Sequence, residues 1–586
     1  MSTNWSRAHI YQYALFAVIT AFMAVFMVWP IALTVRCGFV DTNDQFTLEY
    51  MLGIFRDPVT LTALHNSIAI AICTTGLCLA LALPLSMLAT RYEFMGKKIV
   101  TSLILVPLIL PPFVGAIGLR AVLGRFGALN SLLAWLGIID ANGVGLDFLG
   151  SDTASGQFWS VVIMETLHLY PIAYLNITAA LANIDPTLEE AASSLGAGRW
   201  TRLRRVTLPL IMPGIFAGTT IVFIWSFTEL GTPLMLNYYA VAPVQIFWHI
   251  NEVQSNPQPY ALVVVMLSVA VGLYLLSKVT TGRRPFAMQT RASITGSTKR
   301  ISGILSLAAA MLFVLIISLA IAPHIGVVLS SISAKGAWYQ SILPNNFTFE
   351  HFQNALSHTL ATGSIRNSLI YASIATTVCL VLGFAIAYLN IRTRITGGWL
   401  LDMLAMLPLA VPGLVMAFGY VTMTLHWPFD ENSVLGHWFS VVGRNPNPFT
   451  VLVIAYAIRR LPYVVRSVSA GLEQTSGDLE EAAASLGAGT FTTIRRIVIP
   501  LIAVNLIAGA ILAFSFSMLE VSDSLILAQK EQHYPLTKAI YVLFDRLGDG
   551  PYIASAMGVW AMVLLTITLI SATLMLGKRM GTMFRL

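Results

Sequence analysis

Long apolar runs separated by short polar segments dominate the sequence. A helix needs about 20 apolar residues to cross the hydrocarbon core of a bilayer. The first run is too long for the apolar core of a signal peptide and is followed by no convincing cleavage site, so we expect it to remain as a spanning helix. The pattern predicts twelve membrane-spanning helices, near residues 12–35, 66–90, 99–123, 158–182, 209–232, 259–277, 301–325, 367–390, 399–424, 449–470, 500–526 and 551–576.

The composition agrees with an all-α polytopic membrane protein. Of the 586 residues, 56% are hydrophobic and only 10% are charged, whereas soluble proteins carry about 25% charged residues. The net charge of +7 comes from Lys and Arg in short loops, which indicates orientation in a membrane and not nucleic-acid binding. Most of these basic residues fall on one side of the predicted helices. The positive-inside rule makes that side cytoplasmic, and an even number of spans places both termini there.

One segment of the sequence occurs twice. Leu188 to Ile211 matches Leu479 to Ile502 at 16 of 24 positions, 291 residues apart. Further upstream, Asn66-Ser67 matches Asn367-Ser368 at a spacing of 301 residues. We therefore predict two homologous six-helix halves in parallel orientation, with the transport path at the repeat interface. The predicted boundaries are a first half at 1–279, a basic cytoplasmic linker at 280–300 and a second half at 301–586.

Prolines are concentrated in the third and ninth predicted spans. Each proline removes a hydrogen bond inside a helix, so we expect both spans to be kinked. A packing role and a gating role are both compatible with this pattern. The prolines are Pro107, Pro111, Pro112, Pro408 and Pro412.

The repeated segment has the pattern of a short helix outside the membrane. Asp185 before Pro186 is a helix N-cap followed by a first-turn residue, and acidic residues after it complement the helix N-terminus. Alanine and serine give the helix a flat surface, and Gly196 allows a left-handed residue at its end. The second copy, "TSGDLEEAAASLGAG", is expected to fold in the same way. A turn that needs no partner is one interpretation, but two copies on one predicted cytoplasmic face favour partner binding.

These residues resemble the EAA loop of inner-membrane permeases in binding-protein-dependent ABC importers. The resemblance rests on Glu-Ala-Ala, a glycine four residues later and a final Pro, near 185–209 in the first loop and 476–500 in the second. Val206 stands where the pattern favours Ile, and Ile499 where it favours Leu. The resemblance covers both halves and implies the MetI-like permease fold, with each loop docking on a cytoplasmic ATPase subunit. The implied docking residues are Glu189, Glu190, Ala191, Ala192, Gly196, Glu480, Glu481, Ala482, Ala483 and Gly487.

The resemblance also implies the partners and the location of the chain. It implies cytoplasmic ABC ATPase subunits in two copies, a periplasmic or extracellular solute-binding protein, and a bacterial or archaeal cytoplasmic membrane. ATP is then bound by the partner subunits, and no cofactor is expected in this chain. Two fused halves and "RRLPYVVR" are similar to ferric-iron permeases. Fused permeases for 2-aminoethylphosphonate, thiamine, sulfate-type or polyamine-type solutes are the alternatives within the same class.

Charged residues inside apolar runs are candidates for function, because a charge at mid-bilayer costs roughly 3 kcal/mol or more. Glu229 and its repeat mate Glu520 lie near the predicted outer mouth, and with Asp523 they form our candidate pathway set. We expect the two glutamates to face each other across the path, although two solvated interfacial glutamates fit the pattern as well. A second set, Glu165, His168, Arg459 and Arg460, predicts an intramembrane ion pair between the halves.

Other classes of function find less support in the sequence. There is no phosphate-binding loop of the form G-x-x-x-x-G-K-[ST], no catalytic constellation and no metal-ligand spacing, so no metal site and no enzyme activity are predicted. The four cysteines show no C-x-x-C spacing and fit packing positions. The rival class is an ion-coupled secondary transporter, in which the second charged set would relay protons. That alternative leaves the paired cytoplasmic loops unexplained.

Overall fold

A computed structural model of the chain describes residues 2–41, 45–140, 143–150, 153–253, 256–282, 299–393, 395–443 and 445–576. The described residues are mostly helical, with two strands of two residues each, β1 (Tyr92–Glu93) and β2 (Lys299–Arg300), which pair in parallel. The predicted linker at 280–300 lies outside the described residues except at its two ends.

The helices follow the apolar runs of the sequence. In the first half they are α1 (Ser2–Met23), α2 (Trp29–Phe39), α3 (Glu49–Arg56), α4 (Pro58–Arg91), α5 (Lys97–Leu103), α6 (Val106–Ile109), α7 (Pro112–Leu123), α8 (Ala128–Trp135), α9 (Ala154–Ala182), α10 (Pro186–Ser194), α11 (Arg199–Arg202), α12 (Leu208–Phe227), α13 (Gly231–Met235), α14 (Ala242–Trp248) and α15 (Gln258–Gly282). In the second half they are α16 (Gly303–Ile332), α17 (Glu350–Ser357), α18 (Thr359–Arg392), α19 (Gly398–Ala410), α20 (Gly413–Met423), α21 (Gly436–Phe439), α22 (Phe449–Gln474), α23 (Asp478–Ser485), α24 (Thr490–Thr493), α25 (Ile499–Leu501), α26 (Ala503–Met518), α27 (Ser522–Leu527), α28 (Leu536–Phe544) and α29 (Gly550–Leu576). Tighter or wider helical turns occur at Ala24–Val28, Leu203–Thr207, His249–Glu252, Ile494–Val498 and Glu531–His533.

The prediction of an all-helical polytopic protein is confirmed. Nine helices among the described residues are long and apolar enough to cross a membrane, and the number is eleven if each of two bent pairs is one span. The remaining predicted run, 449–470, lies in α22. That helix is 26 residues long but carries three arginines, Arg459, Arg460 and Arg466, within its first 18 residues.

The proline-rich spans are broken at the prolines. In the ninth predicted span, α19 and α20 meet at an angle of 107° across Val411 and Pro412. In the third, α6 ends at Ile109 and α7 begins at Pro112. The expected kinks are therefore present, because a proline cannot donate the hydrogen bond that would continue the helix.

By contacts between residues the described chain forms two compact units. Unit 1 contains the residues up to Leu61, the segment Gln245–Ser268 and the described residues from Phe352 onward. Unit 2 contains Thr62–Val244 and Val269–His351. In unit 1, α18, α22 and α26 pack on one another and α2 packs on α20; in unit 2, α12 packs on α9 and α16 packs on α7.

Each unit thus includes the first span of the other sequence repeat. Glycines explain how closely these helices approach. A Cβ atom on Gly118 of α7 would lie 1.8 Å from the carbonyl oxygen of Pro323 in α16, and one on Gly419 of α20 would lie 3.1 Å from Pro30 in α2. Gly118 and Gly419 are repeat mates, and small residues are the usual means of close helix packing in membranes. The boundaries predicted from sequence, 1–279 and 301–586, concern the sequence repeats and not these compact units. They stay a prediction.

Candidate functional site

The first repeated loop contains the expected short helix. The carboxylate of Asp185 accepts hydrogen bonds from the backbone N–H of Thr187 at 2.9 Å and from its hydroxyl at 2.8 Å. These bonds stabilise the ionised form and lower the pKa of Asp185. Helix α10 then runs to Ser194, and Gly196 takes a left-handed conformation with φ of +80°. The N-cap and the left-handed glycine expected from the sequence are both confirmed.

The second loop has the same shape with a different start. Gly487 has a φ of +83°, close to the value of its repeat mate. Helix α23, however, begins after Gly477, which has no side chain to cap it. The expectation that both copies start alike is therefore wrong for the cap, because the second copy has Gly477 where the first has Pro186 after an aspartate.

Both loops expose large apolar side chains at equivalent positions. Leu195 is 88% exposed and Leu486 is 89% exposed. Trp200 is 71% exposed and its repeat mate Phe491 is 76% exposed. Leu188 and Leu479 are about half exposed as well, at 47% and 51%. An apolar surface of this kind outside a membrane span is typical of a protein interaction site.

The docking residues implied by the resemblance divide between two faces of each loop helix. Those whose side chains or backbone are exposed are Glu190, Ala191 and Gly196 in the first loop and Glu481, Ala482 and Gly487 in the second. Those turned toward the protein are Glu189 and Ala192, which are half-buried, with Glu480, half-buried, and Ala483, which is buried. The acidic pair of each loop thus has one outward and one inward glutamate.

Each inward glutamate is paired with an arginine that sequence reasoning did not select. Arg91, the last residue of α4, forms an ion pair with Glu189. Arg392, the last residue of α18, pairs with Glu480 at 2.7 Å between Nε and Oε1. The signal was present in the sequence, because Arg91 and Arg392 are separated by the same 301 residues as the Asn-Ser pairs.

In unit 1 the structure brings two predicted sets of charges together. Glu520, which is 3% exposed, contacts Nη1 of Arg459 at 2.9 Å and also pairs with Arg460. Asp523, 1% exposed, lies 3.6 Å from the same nitrogen of Arg459. The hydroxyl oxygens of Tyr456 and Ser524 lie 2.6 Å apart beside this cluster. The candidate pathway acids of the second half are thus bound to the candidate ion-pair arginines of the same half.

Unit 2 has a different set of side chains at the equivalent positions. The buried carboxylate of Glu165 accepts a hydrogen bond from Ser226. A ring N–H of His168 contacts the carbonyl oxygen of Pro107 at 2.8 Å, and this is the carbonyl that Pro111 leaves without its helical donor. Glu229 is half-buried and accepts from the N–H of Thr232 at 3.2 Å. The expected facing of Glu229 and Glu520 and the expected ion pair between the halves stay predictions.

The described residues contain no group of three or more His, Cys, Asp or Glu side chains placed to hold a metal ion. In both units many of the buried polar side chains described above are instead bound to other side chains or to backbone carbonyls. This chemistry suits a polar lining or a structural network inside an apolar protein.

Comparison with known proteins gives matches over most of the chain. The family model described as "binding-protein-dependent transport system inner membrane component" matches residues 82–325 and again 369–581. A ferric transport system permease protein of Actinobacillus pleuropneumoniae is 26% identical over 549 residues, which are 91% of this chain and 74% of that protein. A putative ferric transport system permease protein of Haemophilus influenzae is 26% identical over 85% of this chain and 75% of its own length. A probable molybdenum ABC transporter permease protein of Haloferax volcanii is 33% identical over 37% of this chain and 74% of its own length.

Proposed function

Because the chain belongs to the family of binding-protein-dependent transport system inner membrane components, we propose that it forms the complete solute pathway of an ATP-driven importer of ferric iron. The two loop helices, α10 and α23, are its docking sites for two cytoplasmic ATPase subunits. A solute-binding protein delivers iron at the opposite face of the membrane, and both termini are cytoplasmic.

The exposed apolar residues of the two loops carry the docking proposal. Leu195 and Leu486 are nearly fully exposed, and each is followed by an exposed aromatic side chain, Trp200 or Phe491. Residues of this kind become anchors when a partner covers them. Because the family match occurs twice, one chain provides two docking loops, in agreement with two ATPase copies. Arg199 in the first loop becomes Thr490 in the second, so the two docking surfaces differ in charge.

The relatives support ferric iron as the solute. Two relatives with ferric transport in their names match 91% and 85% of this chain, so they share the arrangement of two fused halves. The relative that is named for molybdenum matches 37% of the chain, which is less than one of its two halves. Molybdate is accordingly the competing solute to include in an uptake measurement.

Transport requires that ATP and the loaded binding protein shift a conformational equilibrium. A ligand can shift such an equilibrium only by binding one state more tightly than the other. We propose that ATP closes the two ATPase subunits, that α10 and α23 move with them, and that the outward-open state then has the higher affinity for the loaded binding protein. Release of phosphate and ADP returns the chain to the inward-open state.

Leucine substitutions in the loops test the proposal directly. Leu195→Asp and Leu486→Asp place a charge on surfaces that are already exposed, so folding should be unaffected. We expect each variant to reduce capture of the candidate ATPase at least tenfold, and the double variant to abolish it. Leu547→Asp, in the fully exposed turn between α28 and α29, is the matched control and should capture the ATPase normally.

The same preparations decide between the function classes when they are reconstituted in vesicles. ATP-dependent uptake of ferric iron, with molybdate excluded, is the expected result. Normal ATPase capture by Leu195→Asp and Leu486→Asp would refute the docking loops. Uptake of molybdate in place of iron would keep the importer and replace the solute. Uptake driven by a proton gradient without any ATPase would favour the ion-coupled transporter.

A further inference from the structure

The second span of each half is held by polar contacts at its inner end and again near its outer end. At the inner end of α4, Arg91 pairs with Glu189, and its Nη2 also donates to the hydroxyl of Thr207 at 3.0 Å. The same hydroxyl donates to Oε1 of Glu189 at 2.7 Å. The loop helix α10 and the segment leading into α12 are thus both bound to the last residue of α4.

The inner end of α18 repeats the pair with other supporting contacts. Nε of Arg392 donates to Glu480 at 2.7 Å, and its Nη2 donates to the carbonyl oxygens of Leu472 and Thr475 at 2.9 and 2.8 Å. The hydroxyl of Tyr388 donates to Oε2 of Glu480 at 3.3 Å. This pair is also better shielded: its side chains are 13% and 15% exposed, against 31% and 24% for Arg91 and Glu189.

Near the opposite end, eight residues after each helix begins, the second span binds the loop that follows the fifth span of its own half. In unit 2 the amide of Asn66 donates to the carbonyl of Ala240 at 2.9 Å, and the hydroxyl of Ser67 accepts from the N–H of Ala242 at 2.9 Å.

Unit 1 has the same anchor at the repeat-related positions. The amide of Asn367 donates to the carbonyls of Gln532 and Tyr534 at 2.8 and 3.2 Å. The hydroxyl of Ser368 accepts from the N–H of Leu536 at 2.7 Å. The Asn-Ser pairs and the terminal arginines share the spacing of 301 residues, and they mark two anchors on the same helix of each half.

We propose that α4 and α18 are struts that transmit movement of the loop helices to the outer loops, and that Arg91 and Arg392 are the positioning residues that make this transmission possible. In each strut the arginine lies 25 positions after the asparagine, about 37 Å along a helix, which is enough to cross the hydrocarbon core. Both helices are unbroken between these residues, although α4 contains Pro84 and α18 contains no proline, so displacement of the inner anchor also displaces the outer anchor. The proposal rests on the proposed function, since it assigns the loop helices to the ATPase side and the outer loops to the binding protein.

The geometry separates coupling from docking. The outward residues Leu195 and Leu486 meet the ATPase. Glu189 and Glu480, which the resemblance implied as docking residues, turn inward and pair with the struts, so the proposal assigns them a positioning role without contact to the ATPase. Breaking the inward pair should therefore leave ATPase capture intact and disconnect it from events at the outer loops. Because the Arg392 pair is less exposed and has more supporting bonds, it is less screened by salt, and its loss should uncouple more strongly.

The test uses the complete importer in vesicles, with its ATPase and a ferric-loaded binding protein. Arg91→Glu and Glu189→Arg should each capture the ATPase within twofold of the wild-type level, but the stimulation of ATP hydrolysis by the loaded binding protein should fall at least tenfold. The double exchange should restore stimulation to within threefold. In the second half, Glu480→Gln should reduce stimulation more than Glu189→Gln does. Asn367→Ala, at the far end of α18, should give the same loss with normal capture.

Glu93→Gln is the matched control, since it removes an ion pair with Lys97 at the same end of unit 2 without touching α10; it should leave stimulation unchanged. Stimulation within twofold of wild type in the single variants would overturn the proposal. A parallel loss of capture and stimulation would also overturn it, because the pair would then only shape the docking loop. Where a charge reversal fails to accumulate, Glu189→Gln and Arg392→Lys are judged by the same criteria.

Failure of the proposed function gives a different result. If the wild-type chain does not capture the ATPase, the function is wrong before any variant is examined. If it captures the ATPase but ferric-loaded binding protein has no effect on ATP hydrolysis, the proposed solute is wrong. A second measurement then tests whether the struts transmit movement. Trypsin cleavage at Arg546, in the turn after α28, should then change on addition of ATP and vanadate in the wild-type chain and not in Arg392→Lys. An equal change in both would overturn the strut.

Discussion

Glu520 holds two arginines in the interior of unit 1, so its replacement tests the buried network directly. Glu520→Gln preserves the shape of the side chain and removes its charge. Arg459 would still lie 3.6 Å from the carboxylate of Asp523. Arg460 would still donate to the carbonyl oxygen of Phe516 at 3.1 Å and lie over its ring, 5.5 Å from the centroid. Of the four charges in the wild-type cluster, two arginines and one aspartate would then remain.

The magnitude follows from the burial of the pair. Removing one partner of a buried ion pair costs about 3–5 kcal/mol, since the remaining charge stays desolvated. Asp523 still offsets part of that charge, and the Arg459 side chain is 28% exposed, so we expect the lower limit of about 3 kcal/mol. At about 1.4 kcal/mol per tenfold change, the unfolded fraction should increase roughly a hundredfold.

The repeat mate Glu229 provides the matched comparison. Its carboxylate accepts from the N–H and the hydroxyl of Thr232 at 3.2 and 3.3 Å, and a glutamine oxygen can accept the same bonds. Glu229→Gln should therefore cost about 1 kcal/mol or less. The assay is the thermal midpoint of each purified variant in detergent, followed by size-exclusion chromatography, with ATPase capture as a check on the loops. Equal midpoints for Glu520→Gln and Glu229→Gln would refute the assignment of Glu520 as the acid that holds the arginines.

Three further predictions follow from local geometry. Gly487→Ala should cost about 1–2 kcal/mol in thermal stability, because its φ of +83° is unfavourable for a residue with Cβ, whereas Gly489→Ala, with φ of −70°, should be neutral. Gly118→Ala should lower the thermal midpoint strongly, because its Cβ would lie 1.8 Å from a backbone oxygen, whereas Gly76→Ala, with no atom within 4 Å, should be neutral or stabilising. Burial lowers the pKa of Lys538 from 10.5 to about 7, so the unfolded chain binds more protons between these values and the free energy of unfolding should rise with pH from about 7 to about 10. Lys538→Met should abolish that rise, and an unchanged pH profile would contradict it.

The two halves use their equivalent positions for different chemistry. Arg459 in the second half stands where the first has His168, and both side chains lie at the break of a proline-rich span. His168 contacts Pro107 in the third span, and the guanidinium of Arg459 lies where a Cβ on Gly413 would be, at the start of α20. A proline break leaves backbone groups that need polar partners; the imidazole of His168 is such a partner, whereas the guanidinium of Arg459 pairs with Glu520.

The loops were accessible to sequence reasoning because their structure is local. A cap at Asp185, a short alanine-rich helix and a left-handed glycine involve residues within about one or two turns of each other, and each has its own preference. The partners of Glu189 and Glu480, which sequence reasoning did not predict, lie 98 and 88 residues away in sequence. No local preference indicates such a contact. The signal in the sequence was that Arg91 and Arg392 have the same 301-residue spacing as the Asn-Ser pairs.

The sequence by itself determined the membrane class, the helical spans, the two repeats and the shape of the first repeated loop, because hydropathy, proline chemistry and helix capping act over short distances. The tertiary structure alone decided that α16 packs on α7 and α2 on α20, that Glu520 binds Arg459 and Arg460, and that the second spans are held near both ends. These features depend on how closely helices can approach, as at Gly118, and on how buried charges find partners. Both are properties of side chains brought together from distant parts of the chain, and apolar helices that look alike in sequence differ only in which of them fit.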